Sequence, residues 1–175
     1  MNDLIKFLFE KHIVENNSIE GYSNSEIEKY ETSIGIRFPR TYCDYLLAMG
    51  KKSGFLFDHR AGIRLEFIED CTKEFLRITK SAPREFREKF KTDGFLFHYN
   101  IDHDLFAIIY PKRNEEDPRV YYIEQEWVEE TSKWIEVDSK LTFSKFLWVH
   151  AELSAEGIQS YFENMGEYPA YTRYY

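Results

Sequence analysis

Extended runs follow one another between Gly94 and Val137: "GFLFHYN", "DLFAIIYP", "RVYYIE" and "KWIEV". The first two flank a turn at Asn100–Asp104, and polar loops divide the others. No helix-length pattern stands between consecutive runs. A parallel pair needs a long crossover, usually a helix, so this order predicts a largely antiparallel sheet. Helical patterns lie before and after the block. The sequence therefore specifies an α+β fold in a single domain, not a doubly wound parallel one.

The helices can be placed by their apolar spacing and their punctuation. Residues 3–14 carry Leu4, Ile5, Phe7 and Leu8 on a short amphipathic helix. Ser25 and Glu28 match a capping box, and Ile27, Tyr30 and Ile34 follow on one face. Gly35 suits the left-handed position that ends such a helix. Pro39 suits the first turn of the next, with Tyr42, Tyr45, Leu46 and Met49 as its buried stripe and Gly50 as its stop. "GFLFD" and "IRLEF" read as strands. Glu69–Thr79 reads as a helix with Cys71, Phe75 and Ile78 inward, broken by Pro83. In "REFREKF", Phe86 and Phe90 pair at i, i+4. "TFSKFLWVHAEL" is a helix capped by Thr142, with Phe143, Phe146, Leu147 and His150 on one face. "SAEGIQSYFENMG" is a separate last helix, with Ile158, Tyr161, Phe162 and Met165 inward, and "EYPAYTRYY" is an irregular tail.

Composition excludes several classes. A chain of 175 residues with 43% hydrophobic and 31% charged residues is globular and large enough for a real core. A net charge of −8 opposes unaided nucleic-acid binding and permits a basic partner. Cys43 and Cys71 make no disulfide framework. The first residues mix charge with apolar side chains, unlike a signal peptide, and no apolar run spans a membrane. The expected location is cytoplasmic.

Catalytic signals are weak. His98, Asp102, His103 and Asp104 fall within seven residues and could ligate a metal. They also sit at an expected hairpin turn, where Asn and Asp serve the backbone, and strand alternation does not converge them. The turn reading ranks first, with no metal and no cofactor. No serine lies in a nucleophile elbow, and Cys43 has no activating context. "MGKKSG" lacks phosphate-loop spacing and follows a helix, where its lysines suit the helix dipole. The basic run "KSAPREFREKFK" is interleaved with Glu85 and Glu88 and reads as a solvated face.

The acids are unevenly placed. Glu115, Glu116, Asp117, Glu124, Glu126, Glu129, Glu130, Glu136 and Asp138 meet only Arg119 and Lys133, a local balance of −7. Exposed strand charge blocks aggregation. It also steers a basic partner.

"SEIEKYETSIGIRFPRTYCDYLLAMG" resembles the N-terminal segment of the SUKH superfamily, in its Smi/Knr-like branch. Glu31, Ile34, Gly35, Ile36, Phe38, Pro39, Tyr42, Tyr45, Leu46, Leu47 and Gly50 occupy the pattern's places. "LFAIIYP", "DPRVYYIEQE" and "LTFSKFLWVHA" fit its later strands and helix. "GKKSG" and "IDHD" depart from the Asn-Gly-Gly and Gly-Asp steps common there. The match covers about residues 22–152, leaving an N-terminal helix and loop at 1–21 and a C-terminal helix and tail at 153–175.

The resemblance implies a curved sheet flanked by N- and C-terminal helices and no enzymatic activity. It implies an immunity protein that neutralises a cognate bacterial toxin domain, or else a regulatory scaffold unrelated to toxins. The expected contacts are Glu115, Glu116, Asp117, Tyr121, Tyr122, Glu124, Glu126, Glu129 and Glu130. Tyr121 and Tyr122 alternate across a strand, so one is expected to face outward. The expected state is a monomer or weak homodimer, without direct contact to nucleic acid or membrane. A metal-dependent hydrolase using His98 and His103 ranks last.

Overall fold

The computed structural model describes residues 1–15, 18–54, 56, 64–100, 105–111, 115–128 and 131–165, with 100, 105, 124–128, 131–132 and 158–165 described by backbone alone. In chain order the elements are α1 (Asn2–Glu10), β1 (Ile19–Glu20), α2 (Asn24–Ile34), α3 (Arg40–Met49), β2 (Lys52–Ser53), α4 (Ile68–Ile78) and α5 (Arg84–Asp93). Then come β3 (Phe95–Asn100), β4 (Leu105–Ile109), β5 (Arg119–Val128), β6 (Thr131–Thr142) and α6 (Phe143–Met165). The fold is α+β, as expected. Strands β3-β4-β5-β6 form one antiparallel sheet in sequence order, and β1 and β2 pair separately.

The sheet is covered on both faces. Phe95, Phe97, Ala107, Ile109 and Val120 join the core built with α1, α2, α3 and α6. Leu96, Phe106, Ile108, Tyr110, Ile123 and Trp134 join a second core with Phe75 of α4 and Phe90 of α5. This explains why "GFLFHYN" and "LFAIIYP" read as nearly continuous apolar runs: both alternating sets are buried. The middle helices, not only the terminal ones, cover the sheet.

A bulge between Leu96 and His98 alters the alternation in β3. Phe97 and His98 both approach Phe146, with ring centroids 5.2 and 6.1 Å away. Asn100 pairs with Leu105, so the expected turn lies between paired strand ends. Residues 101–104, including Asp102, His103 and Asp104, lie outside the described residues.

Several local expectations are corrected. The capping box uses Ser23 and Glu26, not Ser25 and Glu28: Glu26 N donates to Ser23 Oγ, and Ser23 N to Glu26 Oε2. Only this register places apolar residues, Tyr22 and Ile27, in the positions before the cap and in the second turn, and both are buried. Residues 64–67 of "IRLEF" are not a strand, and Ile63 lies outside the described residues. Leu65–Phe67 is a 3-10 turn leading into α4, because Leu65 and Ile68 enter the core at i, i+3. Of "GFLFD", Leu56 is buried, while Phe55, Phe57 and Asp58 lie outside the described residues.

The two expected C-terminal helices are one. Leu147, Ala151 and Ser154 continue the buried stripe across the predicted break, so packing carries α6 through "SAEG". The side chains of Ile158, Tyr161, Phe162 and Met165 lie outside the described residues.

The expected punctuation of α2 and α3 holds. Gly35 adopts φ 71° at the end of α2 and donates to Glu31 O. Tyr42, Tyr45, Leu46 and Met49 are buried, and the Tyr42 ring meets Phe38, Phe95 and Phe143 within 5.2 Å.

Candidate partner-binding surface

The acids of the late strands separate by what their carboxylates touch. Asp117 is internal. It accepts from Ser144 N at 2.9 Å and Ser144 Oγ at 2.5 Å, while Pro118 O accepts from Phe143 N at 2.8 Å. Asp117 thus caps α6 from a distant segment, the role expected of Thr142, and its charge favours the helix N-terminus. Burial alone would raise its pKa, but the bonds from Ser144, Thr142 and Thr41 hold it below the usual value. Asp117 was expected to face a partner. Both its oxygens are instead engaged within the fold.

Glu136 and Asp138 are also tied inward. Glu136 accepts from Tyr110 Oη and Lys89 Nζ, each at 2.7 Å. Burial and this carboxylate push the Tyr110 hydroxyl well above its ordinary pKa, so it remains a donor. Asp138 is held below its usual pKa by Lys140 N and Nζ and by Arg119. These bonds anchor a bulge in which Lys140 adopts φ 62° and Ser139 Oγ donates to Val120 O.

Tyr121 and Tyr122 point to opposite faces, but neither is an exposed anchor. Tyr121 packs on the second core, its ring 5.4 Å from Tyr110. Tyr122 packs on the first, 6.2 Å from Phe146, and burial raises its pKa. The expectation that one faces outward assumed an open sheet face. Helices cover both.

Of the remaining acids, Glu115 and Glu116 are less engaged, and the side chains of Glu124 and Glu126 lie outside the described residues. Glu116 is exposed and lies 3.6 Å from Arg40, with both side chains more than 70% exposed. Such a pair contributes only about 0–1 kcal/mol. Glu115 is half-buried and has no ion pair among the described residues. Glu124 and Glu126 occupy β5 opposite Ile135 and Lys133, beyond the last β4–β5 pair at Phe106↔Ile123. Glu129 and Glu130 lie outside the described residues.

Glu115 and Glu116 border a cleft of about 580 Å³. Its opposite wall is the loop "GIRFPR", residues 35–40. Glu31, only 9% exposed, shapes that loop: Oε1 accepts from Phe38 N at 2.6 Å, and Oε2 lies 3.4 Å from Arg37. The two walls are stitched together by Thr41, whose N and Oγ1 donate to Glu116 O at 3.0 and 2.9 Å. The loop carries the family pattern, but no periodicity in the sequence reveals that it meets residues 115–116.

Among the described residues, no group of three or more His, Cys, Asp or Glu is placed to hold a metal. His98 is buried beside His150, with ring centroids 5.5 Å apart, and burial lowers their pKa values to about 3 and about 4. Burial raises the Cys43 thiol to about 11 and also raises Cys71, the opposite of nucleophile activation. No helix among the described residues is long and apolar enough to cross a membrane.

Fold and surface define a small α+β domain whose open antiparallel sheet is covered on both faces, with Glu115 and Glu116 at a cleft before β5. Within that class, the chain belongs to the SMI1 / KNR4 family (SUKH-1), whose sequence pattern matches residues 21–147. No curated protein matches the chain.

Proposed function

We propose that this chain is a non-catalytic immunity protein. It binds a cognate bacterial toxin domain that acts on nucleic acid, and it neutralises that domain by covering it. Family membership over most of the chain carries this reading. The net charge of −8 supports it, because domains that act on nucleic acid present basic surfaces. The contacts we assign are Glu115, Glu116, Glu124, Glu126, Glu129 and Glu130, acting in the cytoplasm without cofactor.

Co-expression with any toxin domain encoded beside this gene tests the reading. Restored growth and a stable, salt-sensitive complex are expected. Growth arrest without a complex would overturn the proposal and favour a regulatory scaffold that binds another protein.

A further inference from the structure

Strand β6 is the outermost strand of the four-stranded sheet, and its two halves differ along the free edge. An antiparallel strand turns the N–H and C=O of alternate residues away from its neighbour, so an outermost strand presents a row of donors and acceptors. At residues 138–141 that row is closed. Lys140 N donates to Asp138 Oδ1 at 2.8 Å, and Leu141 N donates to Ser139 Oγ at 3.1 Å. Lys140, at φ 62°, interrupts the extended backbone there.

Residues 133–137 carry no such closure. All five pair with β5, from Lys133↔Glu126 to Val137↔Tyr122. None exchanges a backbone bond with any other element among the described residues. The 3-10 turn Thr79–Ser81 lies near β6 but makes no backbone bond to it. The side chains leave the row accessible. Trp134 is buried in the second core, and Glu136, on the same face, is drawn back to Tyr110 and Lys89. Ile135 and Val137 turn to the other face, half-buried and belonging to neither core.

The chemistry of the row selects its occupant. A second extended backbone offers carbonyls and amides at the same spacing, and its alternate side chains meet Ile135 and Val137. We propose that residues 133–137 are a strand-addition site, where an extended segment of the protein partner joins the sheet beside β6. The inference rests on the partner-binding reading above and assigns the backbone conformation of that partner's binding element. The bulge at 138–140 sets the limit of pairing.

The test uses the full chain labelled with ¹⁵N and a short capped peptide of alternating valine and lysine. One version is N-methylated on alternate amides, which leaves one edge able to pair and prevents self-association of the peptide. A second version is N-methylated on every amide, which keeps the side chains and charge but removes the donors. Saturable amide shifts and slowed hydrogen exchange are expected at residues 133–137 with the first. The second should bind at least tenfold more weakly. Ile135→Ser with Val137→Ser should weaken binding of the first severalfold, and spectral dispersion verifies folding. If that variant misfolds, the two peptides decide alone. Shifts centred outside 133–137, equal binding of the two peptides, no binding, or unchanged binding by the folded variant would each overturn the proposal. Self-association of the chain through 133–137 in place of peptide binding would also overturn it. The assay contains no toxin. Peptide binding beside β6 without growth rescue would remove the immunity reading alone. Growth rescue without such binding would remove strand addition alone.

Discussion

The two faces of the sheet are both aromatic, yet they are closed differently. On the α6 side, Phe97 and Phe143 pack with Tyr42, Phe146 packs on Phe97, and His98 and His150 lie against Phe146. On the α4–α5 side, Phe75 meets Phe90 and Phe106 at 4.6 and 4.8 Å, and among the described residues no histidine ring contact with these phenylalanines is seen. Its rim is closed by Tyr110, Glu136 and Lys89. Dispersion and apolar burial hold both faces, but among the described residues only the first encloses histidines, whose protonation opposes folding.

Matched truncations give the largest test of that contrast. Phe146 and Phe75 are both fully buried, so each change to Ala should destabilise by about 3–5 kcal/mol in urea unfolding. Phe146→Ala should also weaken the acid sensitivity of the fold by opening the histidine pocket. Phe75→Ala should not; an equal effect on both would dissolve the distinction.

Acid titration follows. The folded histidines are neutral down to about pH 4 and about pH 3, whereas unfolded ones gain protons below about pH 6.5. The unfolded state therefore binds more protons as pH falls through this window, and stability is lost there. The slope approaches about 1.4 kcal/mol per pH unit for each histidine. His98→Gln should flatten it, read by unfolding at several pH values. Stability constant from pH 7 to 5 in the parent protein would contradict the burial of this pair.

A smaller effect belongs to the cap. Asp117→Ala should cost about 1–2 kcal/mol by releasing the start of α6 on the histidine face. Its carboxyl is depressed in the folded protein, so its contribution is present above the ordinary pKa of 3.8 and disappears as pH falls through the folded value. This loss lies below most of the histidine window, and thermal unfolding at pH 7 and pH 3 should separate the two.

The smallest change in stability comes from residues that close neither face. Glu115→Lys with Glu116→Lys should leave stability within about 0.5 kcal/mol. Association with a basic partner should slow, most clearly at low salt. Unchanged association measured by stopped flow would remove this rim from the binding surface.

Much of this architecture was legible because local chemistry agreed with tertiary packing. Gly35, Pro39 and the stripe Tyr42, Tyr45, Leu46, Met49 each follow from spacing, and the structure keeps them. Ser23 carries a signal of its own: its register places apolar residues on both sides of the cap, and that of Ser25 does not. Asp117 carried no such signal. Its partner Ser144 is 27 residues away, and sequence order does not reveal a cap supplied across a sheet. Strand alternation puts Tyr121 and Tyr122 on opposite faces, but their exposure depends on the helices that cover both faces.

By itself, the sequence determined the antiparallel block, the helices at its ends and the excess of acid in the late strands. These depend on period, punctuation and composition, which are properties of neighbouring residues. Only tertiary structure decided which acids are tied to Ser144, Tyr110 or Lys140 and which remain at the rim. It also brought Glu115 and Asp93 to the cleft beside the 35–40 loop. The physical reason is that a carboxylate's role depends on the donors within about 3 Å of it, and here most of those donors come from distant parts of the chain.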